Sequence, residues 1–242
     1  MRGLESYLRR TKEANAQARQ MCEKAIGVDP QYAEAYTLLG RTYLREHLWG
    51  WNPEPQTLEQ ALAQARKAIS LDDSLPMAHR LLAYVYLWQK QHAQAITEAE
   101  HALALDPNDV DGYETLGEIL SFAGRPQDTL GLVEKALRLN PRQPVSLLWL
   151  LGRAYLLTGR YEEAITVLKK TLIRNPNYYV AHFDLAIIYS ELGREEEARA
   201  EAAEMLRVSP GYSLERDRQN WPFKDPAATE RFAAALRKAG LK

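Results

Sequence analysis

The chain has 242 residues, 31 basic and 32 acidic side chains, a net charge of −1 and a single cysteine. A charge so evenly balanced offers no basic stripe for nucleic acid, so no nucleic-acid partner is expected. One thiol makes no internal disulfide and fits a reducing, cytoplasmic compartment, and no run reaches the roughly 18 apolar residues of a membrane span, so no membrane insertion is expected.

Residues 1–30 read as a degenerate helix pair. Gly3 and Tyr7 stand for its first helix, Ala18 and Cys22 lie on the inner face of its second, and Pro30 closes it. Cys22 on that face reads as a buried structural thiol. Met1 falls inside the first helix with no polar cap ahead of it, so the chain reads as the trailing part of something longer. Residues 31–73 form the second pair, with Tyr36, Leu39, Gly40 and Tyr43 in its first helix and Ala61 in its second. Nine extra residues separate Tyr43 from Ala61, and Asp73 stands where a closing proline would be. This insertion carries Trp49, Trp51, Pro53 and Pro55 and is expected to fold back on its helix pair. A partner contact or self-association through it is the alternative.

Residues 74–107 are the cleanest copy. Leu82, Ala83 and Tyr86 share one face of a first helix, and Ala95, Ala99 and Ala102 one face of a second. From here the register is explicit: Pro107, Pro141, Pro176 and Pro210 fall 34, 35 and 34 residues apart and close the copies 74–107, 108–141, 142–176 and 177–210. Each proline ends a helix because it lacks an N–H, and the Asp or Asn before Pro107, Pro141 and Pro176 favours non-helical backbone. Small residues recur where two helices must meet: Gly40, Ala83, Gly117, Gly152 and Ala186 in the first helices face Ala61, Ala95, Ala164 and Ala198 in the second. The copy at 142–176 holds one extra residue, within RQPVSLLWLLG. After Pro210 the period stops. Residues 211–242 read as a linker, pinned by Trp221 and Phe223, and a capping helix that starts at Asp225-Pro226 and stops at Gly240.

This pattern resembles the tetratricopeptide repeat, whose grammar is a bulky residue, Leu-Gly and Tyr in the first helix, then Ala, a larger residue, Ala and Pro in the second. Tyr36, Leu39, Gly40 and Tyr43 match it, as do Tyr113, Leu116, Gly117, Ala136 and Pro141, and Gly152, Tyr155, Ala164, Leu168 and Pro176. The resemblance covers residues 1–210 and implies an all-α right-handed solenoid of about six helix-turn-helix repeats with a C-terminal capping helix. The tail carries a second resemblance. SLE, then proline-aromatic-KDP, then ER and LRKAGL are similar to the ends of repeat modules attached to bacterial class III adenylate/guanylate cyclases, and the insertion region is similar to the same modules. That likeness implies a regulatory accessory role and transfers no catalytic residue, because the chain has no cyclase domain.

Catalytic chemistry has no local signature. The five histidines include no i, i+4 pair, no CxxC or HExxH motif is present, and phosphate loops and a GxSxG elbow are absent. No enzyme activity, cofactor or metal site is therefore expected, and His79 and His182, at the bulky first position of their repeats, read as packed histidines. Function falls to the surface that the first helices line in this family. The positions flanking the small core residue are Thr37, Arg41 and Arg45, then Arg80, Tyr84 and Trp88, then Glu114, Glu118 and Phe122, then Trp149 and Arg153, then Phe183 and Ile187. Arginine and aromatic residues are enriched at binding hot spots, so this row is expected to hold a protein or peptide partner, extended or helical. Trp88 and Trp149 fit equally as packing between neighbouring helices. The Lys and Asn with which chaperone-binding relatives hold a terminal carboxylate are replaced by Arg41, Tyr84, Glu118, Arg153 and Ile187, so that ligand is not expected. The two readings of function are a non-catalytic scaffold or regulatory module accessory to a nucleotide cyclase, and a stand-alone adaptor in another assembly.

Overall fold

A computed structural model describes residues 2–9, 11–51, 56–140, 142 and 144–242; Met1, Pro53, Pro55 and Pro141 lie outside them. Among the described residues the fold is all-α. The helices are α1 (Arg2–Leu8), α2 (Lys12–Val28), α3 (Ala33–Leu48), α4 (Gln56–Leu71), α5 (Pro76–Trp88), α6 (His92–Leu105), α7 (Val110–Phe122), α8 (Pro126–Leu139), α9 (Val145–Leu157), α10 (Tyr161–Arg174), α11 (Tyr179–Glu191), α12 (Glu195–Val208), α13 (Leu214–Asp217) and α14 (Pro226–Lys238). None is long and apolar enough to cross a membrane.

The chain divides into two compact units, residues 1–112 and 113–242. In the first, α1 packs on α2, α3 on α4 and α5 on α6, and α2 and α4 also contact the next first helix, α3 and α5. In the second, α9 packs on α10 and α11 on α12, with α14 laid against α11 and α12.

Two turn devices repeat the pairing. Within a pair, the first helix ends on a left-handed residue: Lys90 (φ 59°), Gly124 (φ 80°), Gly159 (φ 76°) and Gly193 (φ 73°). The following amide reaches back to the first helix in each copy, as from Gln91 to Tyr86, Arg125 to Leu120, Arg160 to Tyr155 and Arg194 to Tyr189, all at 2.8 Å. This is the six-to-one hydrogen bond of a Schellman cap, which satisfies an orphan carbonyl and reverses the chain. Between pairs, the acid or amide after each of the first five second helices accepts the amide two residues on: Asp29 from Gln31, Asp72 from Ser74, Asp106 from Asn108, Asn140 from Arg142 and Asn175 from Asn177, at 2.9–3.1 Å. The Asp and Asn of the repeat signature thus build the turn as well as end the helix. Asp72 does so in the copy that lacks its proline.

The small residues bring the paired helices into backbone contact. Ala61, Ala83, Ala95, Ala164 and Ala186 are fully buried. A Cβ on Gly152 would sit 2.6 Å from Leu168 Cγ, and one on Gly40 3.3 Å from the Ala61 carbonyl oxygen. Cys22 is buried in this layer too, and burial, with Glu23 adding to it, pushes its thiol up to about 11, as expected of an inert structural cysteine.

His182 bridges a pair through hydrogen bonds. It donates Nδ1–H to Glu201 Oε2 at 2.5 Å and Nε2–H to the Pro176 carbonyl at 3.0 Å. Burial opposes its charge, but the bonds to Glu201 and Pro176 outweigh burial and raise its pKa above the ordinary 6.5.

Replacing Gly152 by Ala should cost about 1–3 kcal/mol by overpacking against Leu168. Gly131, mid-helix in α8 with nothing near its missing Cβ, should instead gain about 0.5–1 kcal/mol as Ala. Urea denaturation of both variants reads the opposite signs. A raised folded-state pKa means that the His182 contribution is complete below the unfolded value of 6.5 and is lost as pH rises through the folded value. Wild-type stability should therefore fall across that interval by more than that of His182→Gln, measured as denaturation midpoint against pH.

Candidate functional site

The predicted partner residues lie on first helices, but the structure commits many of them to internal contacts. In the first unit, Thr37 is fully buried and bonds the Ala33 carbonyl at 3.1 Å, so it takes no part in an open surface. Arg45 is also buried. Its guanidinium lies 3.3 Å from the centre of the Tyr7 ring and donates to the Tyr7 carbonyl, tying α3 to α1. Arg41 lies near the same ring, 4.8 Å from its centre, and points Nη1 at Met77 Sδ at 3.1 Å. Arg80 meets Asp109 and Asp111 carboxylates at 3.1 and 3.2 Å. The early cluster of arginines is therefore largely balanced by acids and aromatic faces of the protein itself. Sequence reasoning counted the arginines without Tyr7, Asp109 and Asp111, which join them only in three dimensions.

Arg41, Tyr84 and Trp88 remain half-exposed. Tyr84 and Trp88 rest on the cluster formed by Leu44, Ala61, Leu81 and Val85, and Trp88 meets His47 edge-on at 6.3 Å. Burial lowers the pKa of His47 beside it. In the insertion, the Trp49 and Trp51 rings meet edge-to-face at 4.8 Å, and the Trp51 amide bonds the Glu46 carbonyl at 3.0 Å. The segment thus folds back at its start, with Trp49 still exposed.

In the second unit the candidate residues surround a buried acid that sequence reasoning missed. Asp184 is fully buried on α11. Its Oδ2 accepts Trp149 Nε1–H at 2.9 Å and Arg153 Nε–H at 3.2 Å, and its Oδ1 accepts from Arg153 Nη2 at 2.7 Å. Burial pushes the Asp184 carboxyl above its ordinary range while Arg153 and Trp149 pull the other way. The signal was a lone acid in a stretch with few polar residues, YVAHFDLAIIYS, between Phe183 and Ile187. Ile187 itself is fully buried. Glu114 accepts from Ser146 Oγ at 2.7 Å, and Glu118 is half-buried on α7.

Phe122, Trp149, Arg153 and Phe183 are all under a tenth exposed. The Arg153 guanidinium lies within 5.0–5.9 Å of the other three rings. The tail covers this cluster. Phe223 meets Phe122 edge-on at 4.9 Å, Trp221 meets Phe183 at 5.6 Å, and the Lys224 amide bonds the Phe122 carbonyl at 2.9 Å. Trp221 is in extended backbone (φ −59°, ψ 130°), followed by Pro222. Behind it, Phe223 stacks on Phe232 of α14 at 5.2 Å, and Asp225 caps that helix by accepting the Ala227 amide at 2.9 Å. Trp221 and Phe223 pin the linker as expected, but they reach α7 as well as the last repeat.

Sequence profiles of the tetratricopeptide repeat match residues 76–109, 123–177 and 159–214, just over half of the chain in all. The Rhizobium meliloti (strain 1021) protein named "Putative adenylate cyclase 3" is 36% identical over 103 residues, which is 42% of this chain and 17% of that protein. Superkiller protein 3 of Schizosaccharomyces pombe is 26% identical over 188 residues, 74% of this chain and 13% of that protein. The chain thus spans less than a fifth of the length of either relative. Among solved structures, TTC0263, a thermophilic TPR protein of Thermus thermophilus, aligns with a TM-score of 0.61 at 24% identity over 82% of this chain and 99% of that one. The human IFIT1 dimer with m7Gppp-AAAA aligns with a TM-score of 0.73 at 21% identity over 98% of this chain and 57% of that one. With the recurring helix pairs, their small-residue contacts and their repeated caps, these matches place the chain in the tetratricopeptide repeat family.

Proposed function

We propose that the chain is a non-catalytic protein–protein interaction module that holds an extended peptide or partner helix against its first helices. The observation that carries this reading is the tail. In the second unit an extended Trp-Pro-Phe segment already lies on first-helix side chains, held by edge-on rings and one backbone hydrogen bond. Such a surface is chemically suited to aromatic, extended ligands. In the first unit Arg41, Tyr84 and Trp88 offer the same chemistry half-exposed, and they are the proposed contact residues there.

Arg153, Trp149 and Asp184 are proposed as the scaffold of that surface, since all three are buried and bonded to one another. Phe122 and Phe183 belong to a partner surface only where the tail gives way, and Glu114 and Glu118 flank them on α7. The finer proposal is an accessory role to a nucleotide cyclase. Its support is the tail and insertion likeness together with the 36% identity to the Rhizobium protein. A stand-alone adaptor is the alternative, and the mass of the native polypeptide separates them. An immunoblot band far above 27.6 kDa would favour the accessory module, and a band at that mass the adaptor.

A photoreactive residue at position 84 should cross-link a protein partner in source cells, whereas one at Glu100, exposed on α6, should not. Adducts at 100 with none at 84 would move the site off the first helices. Asp184→Asn should cost about 3–5 kcal/mol in urea denaturation, because it leaves the Arg153 guanidinium buried without its counter-charge.

A further inference from the structure

We propose that His79, Glu98 and His101 form a binding site for one divalent transition-metal ion, Zn²⁺ in the first place. His79 is on α5, and Glu98 and His101 are on α6; one ligand atom of each lies within 4.8 Å of the others. The spacing explains the placement. Glu98 and His101 are three residues apart and share a helix face, and the turn at Lys90 folds α5 back so that His79 meets them. A Glu-x-x-His pair on one helix facing a ligand on another is how helical bundles build metal sites. Local motif reading did not reach this cluster, because the two histidines are brought together by the helix pair and not by sequence spacing.

The hydrogen bonds of His79 define the chemistry. Its Nε2 is 2.9 Å from the Asp73 carbonyl, which can only accept, so Nε2 carries a proton. Its Nδ1 therefore faces Glu98 Oε2 at 2.8 Å. Nδ1 is thereby the ring nitrogen available to a metal ion, and the Glu98 carboxylate lies beside it. A carbonyl behind one ring nitrogen, fixing the tautomer and aiming the other, is also the usual support of a metal-binding histidine.

The equivalent place in a later repeat shows the other solution. His182 faces Glu201 and the Pro176 carbonyl with the same sequence offsets, 19 residues ahead and 6 behind. Three residues beyond Glu201 stands Glu204, an acid that suits a protonated imidazole. Three residues beyond Glu98 stands His101, whose ring centre is 4.2 Å from that of His79. One divalent ion can take a lone pair from each ring together with the Glu98 carboxylate. Two imidazoles and a carboxylate suit Zn²⁺, with bonds of about 2.0–2.2 Å. His101 is exposed and Glu98 half-exposed, so solvent reaches the site and a fourth position stays open. A bound ion would clip α5 to α6.

The test is titration of the metal-free, untagged full chain with Zn²⁺ by calorimetry, and with Co²⁺ followed by its visible d–d absorption. The expected result is one ion per chain with micromolar or tighter affinity. His101→Ala and Glu98→Gln, each checked for an unchanged melting curve, should weaken binding at least about ten-fold. His182→Gln should leave it unchanged. Millimolar binding by the wild type, or unaltered affinity in His101→Ala, would overturn the proposal.

Discussion

The close approach of the two helices in each pair is the contact on which the rest of the structure depends. At Gly152 the Cα of α9 comes so near Leu168 that a single added methyl would collide with it. Ala61, Ala95 and Ala99 are fully buried. This narrow seam is what lets larger side chains, such as Leu81, Leu150 and Leu168, fill the space around it. Because the seam is made of small residues, it holds little hydrophobic area of its own, and the larger residues between pairs carry the burial. The recurring left-handed turn and the recurring Asx turn then reverse the chain between successive helices.

That regular backbone is used for different chemistry in different copies. A histidine at the start of a first helix meets a glutamate 19 residues later in two repeats. In the later repeat the bonds to Glu201 and Pro176 favour a proton on the ring; in the earlier one a second imidazole, His101, stands 4.2 Å away, centre to centre. The arginines tell a similar story. Arg45, Arg80 and Arg153 occupy positions that elsewhere could face a ligand, but each is engaged by a partner of the protein: the Tyr7 ring and carbonyl, Asp109 with Asp111, and Asp184. An arginine on a repeat surface is therefore weak evidence for recognition until its counter-charges are located.

The tail turns part of a repeat surface into an interior. Leu214, Phe223, Phe232 and Leu236 are buried in the second unit, each contributing on the order of 1.5–3 kcal/mol of apolar burial. Ion pairs from Arg231 to Glu191 and from Arg237 to Glu215 frame it, but at the surface such pairs are worth little, so the rings hold the segment down. A cap built this way has two properties at once. It covers the last helix pair, and it places an extended aromatic segment against first-helix side chains.

The sequence by itself determined the helices, their pairing and their period, because these rest on local chemistry: small residues three, four and seven apart, an Asp or Asn with Pro closing four of the second helices, and Asp225-Pro226 at the start of the cap. It also determined that Trp221 and Phe223 are anchors, since large rings in a short polar linker must be covered. Only the tertiary structure decided what those anchors cover, that Asp184 neutralises Arg153, that Tyr7 occupies Arg45, and that His79 lies against His101. The physical reason is the same in each case. A repeat fixes which face a side chain is on, but the partner it meets comes from another helix, tens of residues away, and charge or ring complementarity between distant positions leaves no periodic trace in the chain.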